Sequence, residues 1–209
     1  PEGVCKELQS VFCDILSASS TVQIRKFLSS FGTNSYYMSI QDQDAHEFII
    51  TLFDKLDKEL GKDFEKDRNE IFGVHSVYTI KSKDAKSESK EFSNEIDLPI
   101  KKFKSITESL DHLIEEESIN QWDTGSEHGK QDAKRSLRYT KLPPFLIFNL
   151  KRYDFDEDKQ YSRELRSRFE CPENLDMKPY CVEDIDCETK YKIVSVIAHK
   201  GNPQTGHYI

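Results

Sequence analysis

The sequence contains little glycine and few prolines, with 8 and 7 residues respectively in a chain of 209. Collagen-like repeats and glycine-rich linkers need a far larger share of glycine, so both classes are excluded. The chain also lacks any apolar run close to the ~18 residues of a membrane-spanning helix. Its longest apolar runs are 145–148 and 193–198, the second interrupted by Ser195. We therefore expect no membrane partner.

The cysteines form no pairing pattern, because their number is odd and no two are spaced Cys-x-x-Cys. Disulfide frameworks and zinc ribbons use paired spacings, so neither is predicted, and a reducing setting in the cytoplasm or nucleus is expected. No basic-then-apolar start marks a targeting segment. The chain begins abruptly at Pro1, which we interpret as the edge of a longer protein. The five cysteines are Cys5, Cys13, Cys171, Cys181 and Cys187.

Acidic residues outnumber basic ones by 38 to 30, which gives a net charge of −8 and an isoelectric point near 5.3. Phosphate binding needs a basic face, so nucleic acid is not expected as a partner. A basic protein or peptide is compatible with this charge. The 13 phenylalanines and 9 tyrosines, arranged in periodic runs, argue against disorder.

The N-terminal third shows helical periodicity. Apolar residues recur at helical spacing over 4–16 and again over 24–31, where Gly32 is the expected end. The strongest pattern in the chain covers 43–60 and predicts an amphipathic helix. The first third is therefore expected to form a helical lobe.

Beyond residue 72 the pattern becomes that of β-structure. A hydrophilic turn is expected over 81–90, a capped helix after Ser105, and 118–136 is polar and mixed. Helices followed by strands predict an α+β fold, with the helical lobe packed on a mostly antiparallel sheet. The predicted strands are 72–80, 92–100, 145–153 and 191–198.

Two histidines near the C-terminal end are candidates for chemistry. His207 stands between Gly206 and Tyr208, where a loop meets a short strand, and an imidazole in such a position can act as a general base. The alternative is a surface or packed histidine without a chemical role. His199 ends the predicted strand 191–198, where it either orients a substrate or caps the strand through a hydrogen bond.

Two carboxylates mark the start of the predicted helix 43–60. Asp44 and Glu47 are three residues apart, so both side chains project from the same side of its first turn. Helix capping and the helix dipole are sufficient reasons for their presence. The functional alternative is an acidic clamp for an arginine or lysine side chain. The local sequence does not separate the two, and one residue can serve both.

No cysteine stands out as a nucleophile, and no metal site is predicted. Cys5 and Cys13 lie among core-type positions of the first predicted helix, which favours buried, inert thiols. The other three cysteines have no neighbouring motif that would mark them as reactive. His75, His112 and His128 lack partners at metal-ligand spacing, so neither a metal nor a cofactor is expected.

Three blocks of the sequence, in the same order, resemble the ubiquitin-specific proteases. Residues 41–48, QDQDAHEF, resemble the family's Q-Q-D-A-H-E-F block, and residues 142–153, LPPFLIFNLKRY, resemble its L-P-P-x-L-x-x-x-L-K-R-F block. Residues 191–209 resemble its histidine box, and the match spans essentially the whole chain. Three shorter segments look like the herpesvirus-associated branch of the family: Ser30-Phe31-Gly32, Ser126-Glu127-His128-Gly129 and Arg168-Phe169-Glu170-Cys171-Pro172.

The resemblance implies a papain-like, right-hand architecture, in which a helical thumb and an antiparallel β palm flank a cleft and β fingers grip ubiquitin. Residues 1–70 would form the thumb, 72–140 mainly the fingers and 141–209 mainly the palm. Many relatives bind zinc in the fingers through two Cys-x-x-Cys pairs. This sequence has no such pair, so fingers without zinc are expected.

The resemblance also implies roles for individual residues. His207 matches the catalytic histidine, which takes a proton from a cysteine thiol so that the thiolate attacks the carbonyl of ubiquitin's terminal glycine. Asp44 and Glu47 match positions that bind the arginine-containing ubiquitin tail. The narrow channel for that tail admits Gly-Gly and excludes larger residues by their bulk. The positions that match the channel lining are His46, Tyr153, His199 and Tyr208.

Two parts of the family pattern are absent from the sequence. The cysteine box, with the nucleophile and an oxyanion-stabilising Asn, would precede the helix at 4–16, and the Asp or Asn that orients the histidine would follow His207. We therefore expect an incomplete domain that is inactive on its own. The hypotheses are a deubiquitinase that binds ubiquitin and ubiquitinated proteins, a non-catalytic ubiquitin-binding pseudoprotease of the same fold, and an unrelated α+β adaptor with chance motifs.

Overall fold

A computed structural model of the chain describes residues 3–17, 21–32, 44–125, 128–156, 161–202 and 205–209, with the backbone alone at 153–156, 161–163, 202 and 205. These residues form two compact units. The first consists of Pro1–Arg68 together with Ile197–Ile209, and the second of Asn69–Val196. Each unit has its own cluster of buried apolar side chains.

The three helices expected from periodicity in the first third are confirmed. The second of them is followed by Gly32, whose φ of 124° lies in the region that favours glycine. No helix within the described residues is both long and apolar enough to cross a membrane. The helices are α1 (Val4–Ser17), α2 (Arg25–Ser30), α3 (Ala45–Leu60), α4 (Lys62–Phe72) and α5 (Ile106–Ile114), with a 3-10 turn at Lys178–Tyr180.

An aromatic cluster forms the core of the first unit. Phe27 and Phe31 are buried, and their ring centroids lie 5.3 Å apart in an edge-to-face arrangement. Both rings also contact Phe48 of α3, at 6.3 and 5.7 Å between centroids. Val4 of α1 and Leu56 of α3 complete the buried set. The periodic apolar positions of α1, α2 and α3 therefore converge on one core, and aromatic pairs in this geometry strengthen it.

Helix α4 was not predicted from the sequence, because most of its residues are charged and it carries no broad apolar stripe. Arg68 joins α4 to α3, since its side chain is 9% exposed and forms two hydrogen bonds to Asp57 of α3. The Nε atom donates to Oδ1 at 2.9 Å and a terminal nitrogen donates to Oδ2 at 2.7 Å. The guanidinium also lies 5.2 Å from the ring centroid of Phe53. A buried ion pair thus joins the two helices.

The expectation that both cysteines of α1 are buried is wrong for Cys13, which is exposed. Cys5 is half-buried and packs against the core of the first unit. Helical periodicity identifies an apolar stripe but not how much of that stripe is covered. On α1 the stripe continues into three exposed apolar side chains, namely Phe12, Ile15 and Leu16.

The β-strands belong mainly to the second unit, and most are short. In chain order they are β1 (Val74–Lys81), β2 (Lys86–Ser93), β3 (Ile96–Pro99), β4 (Glu117–Asp123), β5 (Lys130–Lys141), β6 (Phe148–Lys151), β7 (Tyr153–Asp156), β8 (Tyr161–Glu164), β9 (Asn174–Asp176), β10 (Lys190–Lys192), β11 (His199–Asn202) and β12 (Thr205–Tyr208).

The main sheet has four antiparallel strands in the order β2-β1-β5-β4. The other described strands pair two by two: β7 with β8, β9 with β10 and β11 with β12 are antiparallel, and β3 with β6 is parallel. The α+β class with a mostly antiparallel sheet is therefore confirmed. The core of the second unit lies between β3, β5 and α5, and its most deeply buried side chains include Leu98, Ile100, Leu110 and Met177.

Two segments without a predicted strand, the expected turn at 81–90 and the polar segment 118–136, contain strands. The expected turn at 81–90 covers only a short connection, and β2 begins at Lys86. The polar segment 118–136 contributes β4 and much of β5. All eight residues of β2 are exposed, so its sequence carries no apolar alternation. Such a strand is defined by its backbone hydrogen bonds to β1, and side-chain patterning does not reveal it.

The expected buried strand over 191–198 is also wrong. Strand β10 ends at Lys192, and residues 193–198 have no regular structure. Val194 is 81% exposed and Val196 is 58% exposed. The composition of the run indicates β-propensity, but burial depends on which surfaces other parts of the fold cover. The strand predicted at 145–153 is likewise divided into β6 and β7, with Arg152 between them.

Candidate functional site

The β11–β12 hairpin carries His207, the predicted catalytic histidine. In its antiparallel register His199 lies opposite Tyr208, Lys200 opposite His207, and Gly201 opposite Gly206. The ladder extends beyond Tyr208, because the amides of Ala198 and Ile209 each donate to the other residue's carbonyl, at 2.8 and 2.9 Å. The backbone of the strand that holds His207 is therefore paired along its length.

Helix α3 supplies the other predicted part of the site. Asp44 is its N-cap residue, and its Oδ1 atom accepts hydrogen bonds from the amides of His46 and Glu47, each at 2.9 Å. The predicted capping role of Asp44 is confirmed. Glu47 lies in the first helical turn and is exposed, so its carboxylate is on the surface beside the cap. Both carboxylates are favourable at the positive end of the helix dipole.

A side-chain hydrogen bond joins the hairpin to this helix within the first unit. The hydroxyl of Tyr208 donates to Oδ2 of Asp44 at 3.2 Å. Asp44 therefore caps α3 through Oδ1 and accepts the hydrogen bond from the hairpin through Oδ2. The sequence places these residues 164 positions apart, and no local pattern could have predicted their contact.

His199 packs on the same face of the hairpin as Tyr208. The two ring centroids are 4.9 Å apart and the ring planes are inclined by 45°. The imidazole also covers Gly206, diagonally across the hairpin, because a side chain at that position would overlap its ring atoms. Asp44, Tyr208, His199 and Gly206 therefore form one continuous cluster.

His207 belongs to the opposite face of the hairpin. Successive residues of a strand alternate between faces, so its side chain projects away from the Tyr208 and His199 rings and towards the side of Lys200. Its side chain is exposed. The cluster around Asp44 therefore includes both chain neighbours of His207, while the imidazole lies on the other, exposed face of the hairpin.

The remaining predicted residues stand in different relations to this cluster. His46 and Glu47 contact Asp44 through their amides. Tyr153 lies in the second unit, in β7, where it is paired with Glu164. The sequence analysis did not identify the close approach of the His199 ring to Gly206.

Burial disfavours the thiolate form of two cysteines, Cys171 and Cys181. Burial raises the pKa of Cys181 to about 11, and its neighbours Cys187 and Asp176 add to this shift. Burial also raises the pKa of Cys171, against the opposing charge of Arg152. A raised thiol pKa keeps the group protonated at neutral pH and disfavours nucleophilic attack. These two thiols are therefore poor candidates for the nucleophile.

A groove of about 590 Å³ in the second unit is not connected with the predicted chemistry. It lies at the start of α5, and none of the predicted site residues lines it. The lining residues are Ser105, Thr107, Arg168, Phe169, Glu170, Cys171 and Pro172.

Comparison with known proteins assigns the chain to a family. Residues 2–209 match the family described as ubiquitin carboxyl-terminal hydrolase, and the chain belongs to that family. It is 31% identical over 214 residues to ubiquitin carboxyl-terminal hydrolase 7 of Drosophila melanogaster, with 100% of this chain and 19% of the relative covered. It is 28% identical over 217 residues to ubiquitin carboxyl-terminal hydrolase 15 of Saccharomyces cerevisiae, with 96% and 18% covered. The chain thus spans about a fifth of these relatives' length.

Solved structures share the fold. The SAGA DUB module of Ubp8, Sgf11, Sus1 and Sgf73 bound to monoubiquitin matches with a TM-score of 0.84 and 22% identity, over 99% of this chain and 50% of the matched chain. The same module bound to ubiquitin aldehyde matches with a TM-score of 0.73 and 25% identity, over 87% and 44%. The mixed helical and antiparallel architecture is therefore that of a ubiquitin-specific protease catalytic domain.

Proposed function

We propose that the chain is part of a deubiquitinase that hydrolyses the bond after the C-terminal glycine of ubiquitin by thiol catalysis. The observation that carries this proposal is the family match over residues 2–209. Segments outside residues 1–209 would supply the nucleophilic cysteine and the third residue of the triad. Residues 1–209 alone would then be inactive, because they hold one triad member. The reaction needs no cofactor.

His207 is the proposed general base. It takes the proton of the cysteine thiol, and the thiolate attacks the carbonyl carbon of the terminal glycine. The imidazolium then protonates the departing amine, and water hydrolyses the thioester with His207 again as base. The support for this role is the match to the histidine box and the exposed position of His207 on a paired strand.

Asp44 and Glu47 are proposed to bind arginine side chains of the ubiquitin tail. Asp44 has both oxygens in hydrogen bonds, and one of its donors is the exposed hydroxyl of Tyr208. A guanidinium would add further donors to the same carboxylate, whose oxygens each accept more than one hydrogen bond. His46, Tyr153 and Tyr208 are also proposed to contact the ubiquitin tail, and His199 either contacts the tail or acts on the strand that carries His207.

Ubiquitin and ubiquitinated proteins are the proposed partners, and solved relatives of the same fold are described as bound to ubiquitin aldehyde and to monoubiquitin. A place in the herpesvirus-associated branch is supported by segments such as Ser30-Phe31-Gly32 and Arg168-Phe169-Glu170-Cys171-Pro172. A cytoplasmic or nuclear location is also proposed, since the cysteines show no pairing pattern.

The test measures turnover and ubiquitin binding separately in the full-length protein that contains residues 1–209. Wild type should release the fluorophore from a ubiquitin C-terminal amide. His207→Ala should lower kcat at least about 100-fold, the scale of general-base catalysis, while the Kd for ubiquitin stays within about twofold. The matched control is His112→Ala, which removes an exposed imidazole from α5 and should leave turnover unchanged.

The possible outcomes separate the hypotheses. Unchanged turnover in His207→Ala removes that residue from the mechanism. Ubiquitin binding by a wild-type protein that shows no hydrolysis favours the pseudoprotease, and absence of both overturns the proposal entirely.

A further inference from the structure

We infer that His199 is a positioning residue, which packs over Gly206 and against Tyr208 and thereby holds the strand that presents His207. The inference rests on the proposed function, because it concerns the same reaction. It differs from the proposed tail-lining role, in which His199 touches the substrate. The two roles make different predictions for kcat and for substrate binding.

Gly206 provides the first argument. Its φ does not lie in the left-handed region, in contrast to Gly201, whose φ is 136°. Backbone conformation therefore does not require glycine at position 206. A Cβ there would instead overlap Nε2, Cε1 and Cδ2 of His199, so a side chain at position 206 would require the imidazole to move. The imidazole thus lies directly over the Cα of Gly206, one residue before His207.

Tyr208 provides the second argument. The His199 ring lies 4.9 Å from the Tyr208 ring, one residue after His207. The hydroxyl of that tyrosine donates to Asp44, which caps α3. His199 therefore contacts both chain neighbours of His207, and through Tyr208 it connects the hairpin to a helix of the same unit.

The hairpin needs such support. Among the described strands β11 and β12 pair only with each other, and each is four residues long. Isolated two-stranded hairpins are marginally stable in water, so packing on one face decides how firmly they are held. His207 lies on the other face, opposite Lys200. His199 consequently acts on the backbone and not on the imidazole itself.

A kinetic comparison in the full-length protein tests this role. His199→Ala should lower kcat for a ubiquitin C-terminal amide about tenfold to a hundredfold, the scale of an ångström-sized displacement of a catalytic group. KM and the Kd for ubiquitin should change less than about twofold, because no substrate contact is lost. His199→Phe keeps a flat ring over Gly206 and should restore most of kcat. The control is again His112→Ala.

A second comparison uses the overlap at Gly206. Gly206→Ala should lower kcat, because the new methyl group displaces the His199 ring from Tyr208. The double variant Gly206→Ala/His199→Ala should be no less active than Gly206→Ala alone, since the ring that clashes is gone. Independent sites would instead give additive losses. Hydrogen–deuterium exchange of the β11–β12 amides should follow the same non-additive pattern.

Three results would overturn the inference. They are a raised KM with unchanged kcat in His199→Ala, a His199→Phe variant as impaired as His199→Ala, or additive losses in the double variant. Failure of the proposed function is a different observation, namely wild-type protein without turnover. The exchange measurement does not depend on turnover and reports on the hairpin in either case.

Discussion

Tyr208 in β12 donates a hydrogen bond to Oδ2 of Asp44, 3.2 Å away and 164 residues earlier in the chain. The other oxygen of the same carboxylate accepts from the first amides of α3. One side chain therefore links the start of the α3 helix to the strand that carries His207. The structure confirms the capping role of Asp44, and binding of the ubiquitin tail by the same carboxylate stays a prediction.

Tyr208→Phe should weaken the attachment of the hairpin. The hydroxyl is lost while the ring contact with His199 remains, so we expect a destabilisation of about 0.5–1.5 kcal/mol. The measurement is chemical unfolding of the full-length protein, together with hydrogen exchange of β12. In an Asp44→Ala background the same change should have almost no effect, since the acceptor is already absent. An equal effect in both backgrounds would contradict the bond.

Substitutions of Asp44 can separate capping from charge. Asp44→Asn keeps a good N-cap residue and should change stability by no more than a few tenths of a kcal/mol. Asp44→Ala loses both the cap and the acceptor of the Tyr208 hydroxyl, and should cost about 2 kcal/mol. Both should weaken ubiquitin binding roughly tenfold at low salt, because both remove the negative charge that would pair with arginine. Unfolding and calorimetric titration measure the two quantities.

Ser105→Ala is the matched control for Asp44. Ser105 is the N-cap of α5 and accepts from the amide of Glu108 at 3.2 Å. Ser105→Ala should lower the unfolding free energy by about 1 kcal/mol, the capping part of the Asp44→Ala effect, without changing ubiquitin affinity. If Asp44→Asn binds ubiquitin as wild type does, the clamp is absent and Asp44 keeps only its structural roles, the α3 cap and the bond from Tyr208.

Arg68→Ala should be strongly destabilising. The Asp57 carboxylate, 21% exposed, would lose both hydrogen bonds, and about 3 kcal/mol is expected for breaking a largely buried pair. Arg68→Lys retains the charge but not the planar guanidinium that forms both hydrogen bonds. Its stability should therefore fall between those of wild type and Arg68→Ala. Lys58→Ala breaks an exposed ion pair with Asp54 and should cost less than about 0.5 kcal/mol. Equal effects of the two alanine variants would refute the structural importance of the buried pair.

Alkaline pH should destabilise the second unit. Burial raises the pKa of Cys181 to about 11, so the folded state keeps a proton that the unfolded state releases from about pH 9. The unfolding free energy is therefore intact below pH 9 and decreases as pH rises towards 11. In urea unfolding measured at a series of pH values, Cys181→Ala should reduce the loss of unfolding free energy between pH 9 and pH 10. Cys13→Ala, at an exposed thiol, is the control, and an unchanged slope in Cys181→Ala would contradict the assignment.

The elements that could be predicted are those in which the spacing of apolar residues, or a capping residue, reflects the local structure. Helices α1 and α3 bury one stripe, and the stripe is visible as spacing in the sequence. Asp44 and Ser105 were recognisable as caps because capping depends on residues within one turn. Strand β2 has no buried face, and the only buried residue of α4 is the charged Arg68, so neither element shows a periodic apolar pattern in the sequence.

The candidate site could be anticipated only as separate pieces. Residue types and order indicated His207 and the acidic start of α3, and the family match covers both segments. The hydrogen bond between Tyr208 and Asp44 and the packing of His199 over Gly206 could not be predicted. The tyrosine–aspartate bond joins groups far apart in the chain, and the histidine–glycine contact depends on a ring orientation.

The amino-acid sequence by itself determined the α+β class, the caps and the order of the family blocks, since these follow from local spacing and residue chemistry. The tertiary structure alone decided that residues 193–198 are exposed, that Arg68 is buried against Asp57, and that one carboxylate joins α3 to β12. Burial and side-chain contact depend on which surfaces come together in space. Segments remote in the chain supply those surfaces, and no local pattern contains them.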